Sequence, residues 1–135
     1  MRFLLYTNAC IDHLRRGPQS FLTARLRIEP VGNVCLCSVV RAELIYGAFR
    51  SNDPITGAQR VKDFFAGLAS LPFDDRAADV CGELRSCLAG LGTPIGPNDL
   101  MIASIARANG LTVVTNNVRE FSRVPGLAVE NWSHP

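Results

Sequence analysis

Two carboxylates, Glu43 and Asp99, have sequence surroundings that suit chemistry. At helical spacing Glu43 has Val39, Val40, Tyr46 and Gly47 for neighbours. An unpaired carboxylate on so apolar a face costs several kcal/mol or titrates to neutral, so it needs a cation or a strong partner. Asp99 stands in the first turn of a helix opened by Pro97. Alone it could do no more than complement the helix dipole. Thr7, Asn8, Ser38, Thr115 and Asn116 add hydroxyl and amide oxygens at positions where strands end. Two carboxylates ringed by neutral oxygens suit Mg²⁺, with Mn²⁺ as the alternative. Such an ion can generate hydroxide from water and stabilise the charge that builds on a phosphodiester. A plainer reading competes: Thr7, Asn8, Ser38 and Asn117 are ordinary N-cap residues, and Asn117 with Glu120 has the spacing of a capping box.

Other chemistries find little support. No glycine-rich phosphate loop is present. His13 is expected on the outer face of the first helix and His134 is next to the last residue, so no Ser–His–Asp or Cys–His set forms. Cys10, Cys35, Cys37, Cys81 and Cys87 are odd in number and lack a C-x-x-C pair, which argues against zinc and against a disulfide framework. They are expected to pack as small apolar residues in a reducing compartment.

The elements that must position the carboxylates follow from the apolar runs. Phe3 to Tyr6, Val34 to Cys37, Leu111 to Thr115 and Ala128 to Glu130 read as strands, with Leu71 to Phe73 a short extended piece. Helices are expected over Asn8 to Arg15, Pro18 to Ile28, Val39 to Arg50, Thr56 to Leu68, Asp75 to Leu91 and Pro97 to Ala108, with a helical turn at Val118 to Phe121. Gly92-Thr93-Pro94 and Asn109-Gly110 supply the stops. Short strands buried on both faces and separated by helices predict an α/β fold with a mostly parallel sheet covered on each side. Ligands of such sheets bind at the carboxyl edge, where the polar clusters fall.

A chain of 135 residues, 47% hydrophobic and 19% charged, suits one domain and excludes disorder. No apolar stretch reaches the roughly 20 residues a membrane helix needs. Arg2-Phe3-Leu4-Leu5 imitates a signal peptide, but Thr7-Asn8 ends the run and no cleavage pattern follows. A cytoplasmic protein is therefore expected. The net charge of +2 permits a polyanionic partner without demanding one.

Four segments in order carry a family likeness: Leu4-Leu5-Tyr6-Thr7-Asn8, Ser38-Val39-Val40-Arg41-Ala42-Glu43-Leu44, Pro94 through Ala103, and Thr115-Asn116-Asn117-Val118-Arg119-Glu120-Phe121. Together they resemble the PIN domain and, within it, the VapC-type toxins of bacterial toxin–antitoxin pairs. Val124-Pro125-Gly126-Leu127 and Glu130-Asn131-Trp132 are similar to that subgroup as well. The resemblance spans residues 1–135 as a single PIN-like domain, a three-layer α/β/α arrangement with a short, mostly parallel sheet. It implies a Mg²⁺-dependent endoribonuclease that cuts structured RNA of the transfer or ribosomal class. It also implies a homodimer neutralised by a cognate VapB-type antitoxin. By motif position Glu43 and Asp99 become metal-site carboxylates. Thr7, Asn8, Ser38, Thr115 and Asn116 become residues that orient water or phosphate. Asn117 falls where many members place a fourth acid, and Glu120 assists.

Position 6 departs from the pattern. The family's first strand ends in Asp before Thr-Asn, and here the residue is Tyr6. A phenol is neutral at pH 7 and offers a hard cation no charge, while its ring fills space meant for metal and water. The chain is therefore expected to be a poor or inactive nuclease. The competing reading is a catalytically dead module that only binds antitoxin or RNA. A third, an unrelated α/β domain acting on small phosphate esters, lacks the nucleotide loop that would favour it. Ile45, Tyr46, Phe49, Phe64 and Phe65 are either core or one wall of a groove for a partner helix.

Overall fold

Runs of apolar residues too short to span a helix become strands when both their faces can be covered. Phe3–Leu5 (β1) and Val34–Cys37 (β2) are buried at every position. The computed structural model describes residues 1–135. After β1 come α1 (Thr7–Arg16) and α2 (Phe21–Ile28), then β2, α3 (Ser38–Phe49), α4 (Pro54–Ala66) and β3 (Ala69–Leu71). α5 (Asp75–Gly90), α6 (Pro97–Ala108), β4 (Thr112–Val114), α7 (Val118–Phe121) and β5 (Ala128–Glu130) complete the chain. The five strands form one wholly parallel sheet in the order β3-β2-β1-β4-β5, in a three-layer α/β/α arrangement. Since β2 lies on one side of β1 and β4 on the other, the strand order reverses at β1. The crevice that such a reversal leaves at the carboxyl edge is where ligands of parallel sheets bind.

α6 is the most deeply buried helix, and it carries Asp99. Ile102, Ala103, Ser104, Ile105 and Ala106 are all buried in consecutive positions, because α5 covers the side of α6 that the sheet does not. Its small residues permit close approach, and Ser104 satisfies its hydroxyl on the Leu100 carbonyl at 2.6 Å. Since α6 leads into a parallel strand, its first turn, with Asp99, lies at the carboxyl edge. The chain's tail returns to the sheet through Trp132, whose ring meets Phe3 edge-on at 4.9 Å under the Arg25 guanidinium at 4.5 Å.

Several expectations need correction. α2 begins at Phe21, not Pro18: Gly17–Gln19 form a 3-10 turn, and Ser20 caps α2 by accepting the Thr23 N–H. β3 covers Ala69–Leu71 instead of Leu71–Phe73, because pairing with Cys35–Cys37 selects it and an exposed edge strand needs no apolar run. His13 is not on an outer face. Its ring accepts or donates to the Thr23 hydroxyl at 2.8 Å and lies 5.1 Å from Phe64, and burial, with Arg27 nearby, lowers its affinity for a proton. Cys10, Cys35 and Cys37 are buried, whereas Cys87 is exposed. Of the aromatics between Ser38 and Leu68, Phe65 is core while Tyr46 and Phe49 are exposed. No helix is long and apolar enough to cross a membrane.

Candidate active site

The backbone fixes Tyr6 before its side chain is considered. Its N–H extends the β1–β4 ladder to the Val114 carbonyl at 3.0 Å, and its own carbonyl accepts the Cys10 N–H to open α1. The half-buried side chain then points across the crevice. The phenol donates to Asp99 Oδ1 at 2.7 Å, and the ring meets Phe121 edge-on at 4.8 Å. Asp99 is presented by the turn Gly96-Pro97, where Leu100 N–H closes on the Gly96 carbonyl at 2.9 Å.

The other polar side chains close in pairs. Thr7 is the first residue of α1 and donates its hydroxyl to Glu43 Oε1 at 2.8 Å. Asn117 Nδ2 donates to Glu120 Oε2 at 2.5 Å, and Glu120 Oε1 accepts the Gly96 N–H at 3.4 Å. Asn8 donates to Asn116 Oδ1, and the buried Thr115 hydroxyl both donates towards Asn8 and accepts the Asn117 N–H at 2.9 Å. Ser38 stands at the rim, its hydroxyl on the Leu71 carbonyl at 3.2 Å. An open cleft of about 650 Å³ joins Thr7, Ser38 and Glu43 to Asn98. Asn98 was missed from the sequence, although it directly precedes Asp99 in the same helical turn.

The capping readings fail. Thr7 and Ser38 sit inside their helices and bond across the fold, and Asn117 makes no side-chain cap. Asn8 too turns sideways, to Asn116. Asn117 and Glu120 do meet, but side chain to side chain, with no capping-box bond to the backbone.

Three acids thus share the crevice with no cation paired to any of them. The two ion pairs of the chain, Arg16–Asp12 and Arg25–Glu29, lie elsewhere. Burial lifts the Asp99 carboxyl from 3.8 to about 6, the Tyr6 hydrogen bond pulls against this, and Glu120 and Glu43 reinforce the rise. Burial and the same carboxylates push the Tyr6 phenol well above its ordinary value, so it stays neutral. As they stand, these residues do not fit a divalent cation. Each carboxylate is engaged by a neutral donor, and no three acidic, imidazole or thiol groups converge on one point.

A carboxyl that binds its proton more tightly when folded loses stability as pH rises from its unfolded value, near 4, towards 6, and is level above. With half the group exposed, screening reduces the effect to about 1 kcal/mol. Asp99→Asn should therefore raise the melting temperature at pH 7 by about 3–5 °C. It should also flatten the fall in stability between pH 4 and 6, measured by thermal melts across that range. A melting temperature that drops, with the pH dependence intact, would contradict this account of the cluster.

A parallel sheet with carboxylates, hydroxyls and amides gathered over its switch point defines an oxygen-lined α/β site class. Within that class the chain belongs to the PIN domain family, whose profile matches residues 3–127, and to its VapC-type branch. It is 41% identical over 132 residues to the tRNA(fMet)-specific endonuclease VapC of Salmonella typhimurium, covering 98% of each chain. It is 42% identical over 133 residues to the protein of the same description from Shigella flexneri, covering 98% and 99%. Among solved structures, DNA-bound VapBC from Salmonella typhimurium superposes with a TM-score of 0.92 at 41% identity, covering 98% of each chain. VapBC2 from Rickettsia felis, bound to a promoter DNA fragment, superposes with a TM-score of 0.89 at 35% identity, covering 98% and 99%.

Proposed function

We propose that the chain is a VapC-type endoribonuclease scaffold that recognises structured RNA of the transfer RNA class and a VapB-type antitoxin, with cleavage disabled at Tyr6. One observation carries the disabled state: the Tyr6 hydroxyl is bonded to Asp99 in a chain 41–42% identical, over 98% of its length, to named VapC endonucleases. With Asp at position 6 the crevice would offer Asp99, Glu43 and a third central carboxylate to Mg²⁺ or Mn²⁺. Thr7, Asn8, Thr115 and Asn116 then line the place of the phosphate, and Glu120, held by Asn117 and the Gly96 N–H, fixes the edge nearest Asp99. Antitoxin binding and a cytoplasmic homodimer belong to the same reading. The solved relatives are VapBC complexes, and exposed Tyr46 and Phe49 give the α3 face apolar surface for a partner.

Binding without cutting is the expected behaviour of the unsubstituted chain. Fluorescence anisotropy with labelled unfractionated transfer RNA should give salt-sensitive binding in Mg²⁺, and a denaturing gel should recover the RNA intact. Efficient cleavage by the Tyr6 protein would remove the basis of the proposal.

A further inference from the structure

Beside Glu43, next to the crevice, lies a second cleft of about 240 Å³ walled by α1, α3 and α4. Ile11 and Glu43 line both spaces, so the two lie side by side. The floor is apolar, formed by Ile11, Leu14, Leu44 and Val61, and Arg15 and Arg60 stand at its edge. Both guanidiniums are exposed and neither is in an ion pair. Arg60 is nevertheless held in place, because it donates to the Leu14 carbonyl across the cleft from α4 to α1. Gly47 leaves the α3 wall open: a Cβ there would meet nothing within 4 Å.

Charge decides what such a cleft takes. Glu43, Asp99 and Glu120 repel a phosphodiester backbone, so an RNA crossing the site needs cations close beside it. Arg15 and Arg60 are the cations that line the cleft adjoining the site. Guanidinium forks match phosphate oxygens, and an apolar floor accepts the face of an unstacked base. We propose that this cleft seats one unpaired nucleotide of the bound RNA, flanking the phosphate at the site. Arg15 and Arg60 take its phosphate, and the floor between α1 and α4 lies under its base. This rests on the RNA-binding reading above.

The test uses the unsubstituted Tyr6 chain, which leaves the RNA whole, with anisotropy against labelled unfractionated transfer RNA over a salt series. Arg15→Ala with Arg60→Ala should weaken binding at least about tenfold and flatten the slope of log Kd against log salt by about 0.7, as the loss of one neutralised single-strand phosphate requires. Gly47→Leu and Gly47→Met, which fill the cleft from its open wall, should each weaken binding about tenfold with the salt slope unchanged. Melting temperatures show that the variants are folded, and the two fillers stand in for each other if one is not. Unchanged affinity in the arginine and filler variants, while the parent chain binds, overturns the nucleotide seat and leaves the RNA reading standing. Loss confined to the arginine variant overturns it too, because it reports general charge alone. Variants that keep RNA affinity but lose a VapB-type antitoxin assign the cleft to the protein partner. If the parent chain binds no RNA, the RNA reading itself falls.

Discussion

Replacing Tyr6 by Asp should make the protein less stable in the absence of a divalent cation and responsive to one in its presence. The substitution removes a half-buried ring that packs edge-on against Phe121 and a hydroxyl that anchors Asp99. It also places a further negative charge beside a carboxyl already lifted to about 6 by burial and by Glu120 and Glu43. Large-to-small change at a packed aromatic, with added repulsion, costs about 2–4 kcal/mol. For a domain of this size that lowers the melting temperature by roughly 6–15 °C. The same charge gives a hard cation what the phenol withholds. At a hundredfold excess over its dissociation constant, Mg²⁺ or Mn²⁺ returns about 2.7 kcal/mol. The Tyr6 chain should shift by less than about 1 °C under the same additions. Equal cation-induced shifts in both proteins would show that position 6 does not govern the ion.

The second large effect lies at the far end of the chain. Trp132 is 4% exposed, its indole N–H donates to Glu130 at 3.1 Å, and its ring is clasped between Phe3 and Arg25. It ties the last strand and the tail to β1, the strand that delivers Tyr6 to the crevice. Trp132→Ala should cost about 3–5 kcal/mol, through lost burial and a cavity against Phe3. Trp132→Phe keeps the edge-on contact and should cost about 1–2 kcal/mol, chiefly the smaller ring and the missing N–H. Chemical denaturation separates the two. A loss below about 1 kcal/mol for Trp132→Ala would mean that the tail is not part of the cooperative fold.

Both effects depend on parts of the molecule that were unequally legible in the sequence. β1 and β2 declared themselves as apolar runs bounded by polar residues, and α6 by the proline before it and the Asn-Gly after it. The α/β class and the parallel sheet follow from those elements, and the family likeness from four motifs in order. β3 was misplaced because edge pairing, which only the partner strand specifies, chose Ala69–Leu71. Thr7 and Ser38 resemble caps when read locally. The contacts that redirect them, to Glu43 and to the Leu71 carbonyl, come from distant segments. Tyr6 reads as a departure from the family pattern on residue type alone. That its hydroxyl bonds Asp99, and that Glu120 bears on the same carboxyl, depends on how α6 and α7 meet above β1 and β4. His13 illustrates the opposite error: its charged neighbours in sequence suggested solvent, while Thr23 and Phe64 enclose it.

If a VapC-type RNA-cutting site is present here and stopped at one residue, restoring that residue should restore cleavage. The most direct measurement is cleavage of unfractionated transfer RNA, with and without Mg²⁺, by three proteins: the Tyr6 chain, Tyr6→Asp, and Tyr6→Asp combined with Asp99→Asn. Tyr6→Asp alone should cut, only with Mg²⁺, and at least about 100-fold faster than the other two. Equal cleavage by the Tyr6 chain and Tyr6→Asp, or cleavage that survives loss of Asp99, would show that Tyr6 does not disable this site.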